Sequence, residues 1–207
     1  MEQKWTLSSS FVVAAPGDKP VVTSKPAPQI KIAQPQNKVA QIKPAVMPSS
    51  TLTYTLEFQY ACRKNIKNDS CQGNVYWNGE KIIHVIPQNH DIITKTQKVR
   101  VVPGVNTLKF EGEGKSDSFG LTIDNVKLIR DDTKEDLAIN GGFEQPDQKG
   151  KWNVYDEIPG WKGKGIEIGR GTIYNKAWTS QICELDGHKH GYLSQQWNFD
   201  QKLTLKK

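Results

Sequence analysis

From Thr51 the chain alternates. Leu52, Tyr54, Leu56, Phe58 and Tyr60 are apolar or aromatic, and Thr53, Thr55, Glu57 and Gln59 between them are polar. A period of two gives a half-buried strand with one apolar face. Residues 75–86 read as a hairpin turning at Asn78-Gly79, a pair that tolerates the positive φ of a type I′ turn. Residues 97–102 form a further strand, closed by Pro103-Gly104, and 105–111 follow with Leu108 and Phe110 on one face. In 121–129 the parity changes. Leu121 and Ile123 share one face, Val126 and Leu128 the other. One apolar face survives that change only if a residue is inserted, so a β-bulge is predicted at Asp124-Asn125. Beyond it, short strands alternate with turns at Gly141-Gly142, Pro159-Gly160, 163–165 and 169–171. No helical period stands out, and strands at this spacing predict an all-β sandwich or jelly roll.

Residues 1–50 follow a different rule. They hold seven of the 11 prolines and six lysines against two acids, Glu2 and Asp18. Proline fixes φ and removes a donor, so an extended, polyproline-like arm is expected here in place of helix or sheet. Lys19, Lys25, Lys31, Lys38 and Lys43 recur along it as candidate contacts to an acidic partner. The expected organisation is an arm at 1–50, a sandwich at 51–199 and a basic tail at 200–207.

Charge and composition narrow the function. The net charge is +6, yet only four of the 28 basic residues are arginine. A lysine-dominated surface suits diffuse attraction to an acidic protein surface better than base or phosphate recognition, so nucleic acid is not expected. No run approaches the roughly 20 apolar residues of a membrane span. The first ten residues, MEQKWTLSSS, precede an apolar run of only five, 11–15, and residues 1–62 contain no arginine. Neither a secretory nor a mitochondrial leader fits, and an intracellular location is expected, in cytoplasm, cytoskeleton or cilium, ahead of secretion. Cys62, Cys71 and Cys183 are an odd set. Cys62 and Cys71 could pair in an oxidising compartment; three reduced, partly buried thiols are the expectation. His188 and His190 lack the rest of a metal-ligand set and read as loop residues, and neither a nucleophile elbow nor a phosphate-binding loop is present. A non-enzymatic protein is expected.

Several phrases carry a resemblance. NGGFEQP begins at Asn140, followed by Trp152, IPGW at 158–161, ELDG at 184–187 and YLSQQW at 192–197. These resemble the opening half of carbohydrate-binding modules of the galactose-binding-like superfamily, above all the tandem modules of plant cell-wall proteins. TYTLEFQYACR at 53–63, NVYWNGEKI at 74–82 and GLTIDNVKLIR at 120–130 resemble the closing half of such a module. Here the closing half comes first. The chain is either one circularly permuted module, the tail of one module followed by the head of the next, or a domain swap. The two blocks sum to the size of one jelly roll, and half-sandwiches would leave open edges, which favours permutation, with 131–136 joining the former ends.

The resemblance implies a structural calcium where first and last strands meet, held by Asp124 and Glu144 with the Gly142 carbonyl. It also implies a sugar site with an aromatic platform, for which Trp178 beside a Gly-rich loop, with Tyr174, is the candidate. Two functions from different classes result. One is an intracellular structural or scaffold subunit of a large assembly, ciliary or microtubule-associated, docking through sandwich and arm. The other is a carbohydrate-binding module recognising glycans.

Overall fold

The structure is a computed structural model and describes residues 53–186 and 191–200. Residues 1–52 and 201–207, and with them the five arm lysines Lys19, Lys25, Lys31, Lys38 and Lys43, lie outside the described residues, as do His188 and His190. No helix among the described residues is long and apolar enough to cross a membrane.

The described chain is all-β. Its ten strands are β1 (Thr53–Cys62), β2 (Gly73–Trp77), β3 (Glu80–Val85), β4 (Ile93–Arg100), β5 (Gly104–Gly112), β6 (Gly120–Arg130), β7 (Trp152–Ile158), β8 (Trp161–Arg170), β9 (Gln181–Asp186) and β10 (Tyr192–Phe199). One helical turn, α1 (Gly171–Tyr174), and a 3-10 turn at Asn68–Ser70 interrupt them. The Asn78-Gly79 turn between β2 and β3 has φ of 51° and 84°, as the sequence predicts.

All pairings between named strands are antiparallel, and they join into one curled sheet in the order β3-β2-β5-β10-β8-β9-β6-β1-β4, with β7 added beside β8. The curl is made at β8. Its residues 162–164 pair with β10, while residues 166–170 pair with β9. Gly163 sits at this changeover, where a Cβ would stand 1.9 Å from the Tyr192 carbonyl oxygen. The bend therefore requires a residue without a side chain. The two halves of the curled sheet face each other sandwich-fashion and enclose one core. Phe58 of β1 meets Phe110 of β5 edge-on with ring centroids 5.1 Å apart, and Tyr54 of β1 meets Phe199 of β10 at 5.4 Å. Trp161 lies between Phe110 and Phe143.

The two sequence blocks interleave. β6 of the first block pairs with β9 of the second, and β5 pairs with β10 along its whole length. The link between blocks is short: Arg130 N–H donates to the Glu135 carbonyl, Leu137 N–H to the Leu128 carbonyl, and Leu128 N–H to the Asp136 carboxylate. The bulge falls one residue beyond the predicted pair Asp124-Asn125, at Asn125-Val126. Glu57 is opposite Lys127 and Gln59 opposite Asp124, so Asn125 and Val126 together face Phe58. Asn125 takes φ of 50° and points to solvent, which returns Val126 and Leu128 to the core.

The cysteine expectation is corrected. Cys62, ending β1, and Cys71, just past the 3-10 turn, form a disulfide with α-carbons 5.3 Å apart, and Cys183 is the buried free thiol. The tight loop between them, folded back by the Ser70 and Cys71 N–H bonds to Lys67 and Asn68, brings the sulfurs together.

Candidate functional sites

Asp124 stands beside the bulge on β6, opposite Gln59 of β1, and is buried. The residue is 1% exposed, with Oδ1 accepting the Asn125 N–H at 2.7 Å and Oδ2 the Ser180 hydroxyl at 2.7 Å. The NGGFEQP phrase lies against it. Asn140, at φ of 51°, ties that phrase into a knot: its amide donates to the Gln145 and Pro159 carbonyls and its oxygen accepts the Gln145 N–H. Glu144 is thereby turned back to accept the Gln181 N–H at 3.0 Å. Gly142 lies between the two acids, since a Cβ built on it would stand 3.9 Å from both Asp124 Oδ1 and Glu144 Cγ. The structure thus brings together the three residues that the sequence proposes for a cation. Beside them opens a cavity of about 240 Å³ lined by Glu144, Asp147, Arg170, Thr172, Thr179 and Ser180.

The electrostatics suit a cation here. Burial pushes the Asp124 carboxyl up to about 6, opposed by its two hydrogen bonds and reinforced by the negative charge of Glu144. The Asp124 and Glu144 carboxylates are hard oxygen donors of the kind calcium takes, and in this structure they accept the Asn125 and Gln181 N–H groups and the Ser180 hydroxyl. No group of three or more His, Cys, Asp or Glu side chains that could hold a metal ion gathers among the described residues. A bound calcium would supply positive charge beside the buried Asp124 and the exposed Glu144.

Trp178 and Tyr174 are not a sugar platform. They are 2% and 1% exposed and pack with Ala61 and Ile182 on the outer face of the half containing β9. The adjacent glycines mislead: Gly171 is small because the Trp178 side chain lies on it, a Cβ there being 2.2 Å from Trp178 Cβ. Tyr174 instead closes a charged cluster. Its hydroxyl donates to Glu167 at 2.7 Å. Glu167 on β8 stands directly opposite Glu184 on β9 and is hydrogen-bonded to it. Glu184 is fully buried, accepts the Gly120 N–H at 2.9 Å and lies 3.4 Å from the Arg63 guanidinium, which is itself held over the Phe119 and Tyr174 rings. Burial raises the Glu184 carboxyl to about 8, so one proton is shared between the two acids at neutral pH.

The aromatic surface lies elsewhere, on the outer face of the half that runs β3-β2-β5-β10 into β8. Register fixes two cross-strand rows on it. One runs Lys81, Tyr76, Lys109, Ser194, Lys162; the other runs His84, Asn74, Glu111, Tyr192, Lys164. Lys109 is the hub. Its ammonium stands 4.6 Å from the Tyr76 ring centre, 5.5 Å from that of Tyr192 and 2.7 Å from Glu111. The two rings are therefore no more than about 10 Å apart. His84 Nδ1 lies 2.8 Å from Asn74 Oδ1 and 3.2 Å from Glu113, two acceptors, so that nitrogen carries hydrogen. Burial, with Glu111 beside it, raises the Tyr76 hydroxyl. A hollow of about 230 Å³ opens among Asn74, Tyr76, Glu111 and Glu113. Strand alternation marks each of these residues as outward-facing; which strands adjoin, and hence that Tyr76 and Tyr192 share a platform, is a long-range property.

A third cavity, about 350 Å³, lies by the 158–161 turn. Its Gln195 amide is occupied by Ile139 and Gly160, and its Trp161 ring is 1% exposed. The chain matches no protein-family profile, no curated protein and no solved structure.

Proposed function

We propose that this unit is a carbohydrate-binding module, a jelly roll with its halves in exchanged order, that recognises a glycan on the Tyr76–Tyr192 face and carries a calcium at Asp124, Glu144 and Gly142. The observation that carries the reading is that face. It sets two partly exposed tyrosines around a lysine and an acid, with Asn74, His84 and Ser194 beside them. Sugars are bound by such pairings of ring faces with a few fixed donors and acceptors. The β6–β9 and β5–β10 pairings support one permuted module over two half-modules, because each block supplies the other's neighbouring strands. The Cys62–Cys71 disulfide supports an oxidising compartment, and so a secreted or lumenal setting ahead of the intracellular one expected from the leader. Binding alone is assigned, with no reaction. The scaffold reading depends on the arm lysines, outside the described residues, and no structural observation favours it.

A glycan array probed with the wild type and with Tyr76→Ala/Tyr192→Ala tests this. Binding by the wild type, lost in a variant of unchanged circular dichroism, is expected. A folded wild type that binds no glycan, or a double variant that binds as well as wild type, overturns it.

A further inference from the structure

We infer that the ligand of the tyrosine face is an acidic glycan laid across the strands. This rests on the glycan reading above and adds the ligand's charge and direction. The first row places lysine on every second strand: Lys81 on β3, Lys109 on β5 and Lys162 on β8. Neighbouring strands are roughly 4.8 Å apart, so these lysines recur at about 10 Å along a line perpendicular to the strands. In the second row Lys164 stands opposite Tyr192.

The four are not equally satisfied. Lys109 is pinned by Glu111 and the two rings and serves as a fixed donor at the centre. Lys162 makes only a 3.4 Å pair with Glu157, both side chains well exposed at 77% and 65%. Such a pair is worth little in water and exchanges readily for another anion. Lys81 and Lys164 are exposed on the same face. The ring pair is thus flanked on both sides by available positive charge, at a spacing that suits an extended oligosaccharide bearing acids at intervals.

The choice of a sugar over a nucleic acid follows from the cation used. Both bind charged rows with aromatic rings, but phosphate and base recognition lean on the planar guanidinium fork. Of the four arginines, Arg63 follows β1, Arg100 and Arg130 end β4 and β6, and Arg170 lies at the far end of β8, opposite Gln181 of β9. The cations of the two rows are lysines, with the exposed His84 and partly exposed Ser194 beside them to meet hydroxyls.

The test measures affinity for oligomers of hyaluronan, polygalacturonate and alginate, each beside its carboxyl-reduced, neutral counterpart. At least one acidic chain is expected to bind about tenfold more tightly than its reduced form, the sum of a few exposed ion pairs. That advantage, read as the ratio of the two affinities, should fall in Lys81→Gln/Lys162→Gln and fall further when Lys164→Gln is added; an unchanged ratio overturns the inference. Acidic and reduced chains bound equally would overturn the acidic ligand and leave the glycan reading standing. No binding to any chain or array glycan sinks both. Polyglutamate or an oligonucleotide bound as tightly as the best acidic chain would show charge attraction without sugar recognition, and also overturns the inference.

Discussion

Replacing Glu184 by Gln should abolish a pH dependence built into the β8–β9 pair. Glu184 is enclosed by the Gly120 N–H of β6, Arg63 beyond β1, Glu167 of β8 and, through Glu167, the Tyr174 hydroxyl of α1. Its carboxyl goes from an ordinary value of 4.5 to about 8 in the fold. The folded state therefore holds a proton that the unfolded chain releases. A raised pKa contributes stability in full below the unfolded value and loses it as pH climbs through the folded one. Between pH 4.5 and about 8 this site alone lowers stability by about 1.4 kcal/mol per pH unit. From pH 5 to pH 8 the loss is on the order of a few kcal/mol, a sizeable share of the roughly 5–15 kcal/mol typical of a domain. In Glu184→Gln the introduced amide can accept the Gly120 N–H with its oxygen and donate to Glu167 with its nitrogen, replacing the shared proton by one that never leaves. Urea unfolding followed by tryptophan fluorescence at half-unit steps from pH 5 to pH 9 measures both slopes. Wild type should weaken across the window, and Glu184→Gln should weaken less and overtake it near pH 8. Parallel curves, or a variant that falls further behind wild type as pH rises, would refute the shared proton.

Three other outcomes are expected. Asp124, raised to about 6, is a liability above that pH unless a cation compensates. Millimolar calcium at pH 7.5 should raise the melting temperature of wild type but not of Asp124→Asn, and at a concentration 100 times Kd the gain is about 2.7 kcal/mol; equal shifts in both proteins would remove Asp124 from the site. Phe58→Ala deletes a fully buried ring packed on Phe110 and opposite the bulge, and should cost about 3–5 kcal/mol in chemical denaturation, with less than 1 kcal/mol counting against the core assignment. Cys62→Ser opens a loop of nine residues' separation, whose closure is worth about 2–3 kcal/mol, and reductant should lower the wild type's melting temperature to that of the variant.

The fold was legible where the signal is local. Alternation in 53–60 marks β1, Asn78-Gly79 marks the turn between β2 and β3, and the parity change between Ile123 and Val126 forces a bulge in any strand that keeps one apolar face. Asp124, Glu144 and Gly142 were picked out through the resemblance, and the structure sets them side by side. The aromatic site was not. Glycine beside Trp178 looks like an open loop in sequence, yet Gly171 is small because Trp178 covers it. Tyr76 and Tyr192 become neighbours only because β5 pairs with both β2 and β10, a choice that no local period encodes. The disulfide escaped for a similar reason: an odd cysteine count says nothing about two sulfurs brought together by a 3-10 turn.

The contact between Tyr54 and Phe199 has a mechanical consequence. With their ring centroids 5.4 Å apart, the first and last strands of the described unit end side by side. A chain entering at Thr53 and leaving after Phe199 hangs the unit from it as a pendant rather than threading through it as a link. Tension along such a chain would act at one corner and peel β1 and β10 from their neighbours one hydrogen bond at a time. Strand pairs pulled along their length share the load over many bonds; these would not. The unit is built to yield at low force, sooner than one with its ends at opposite poles.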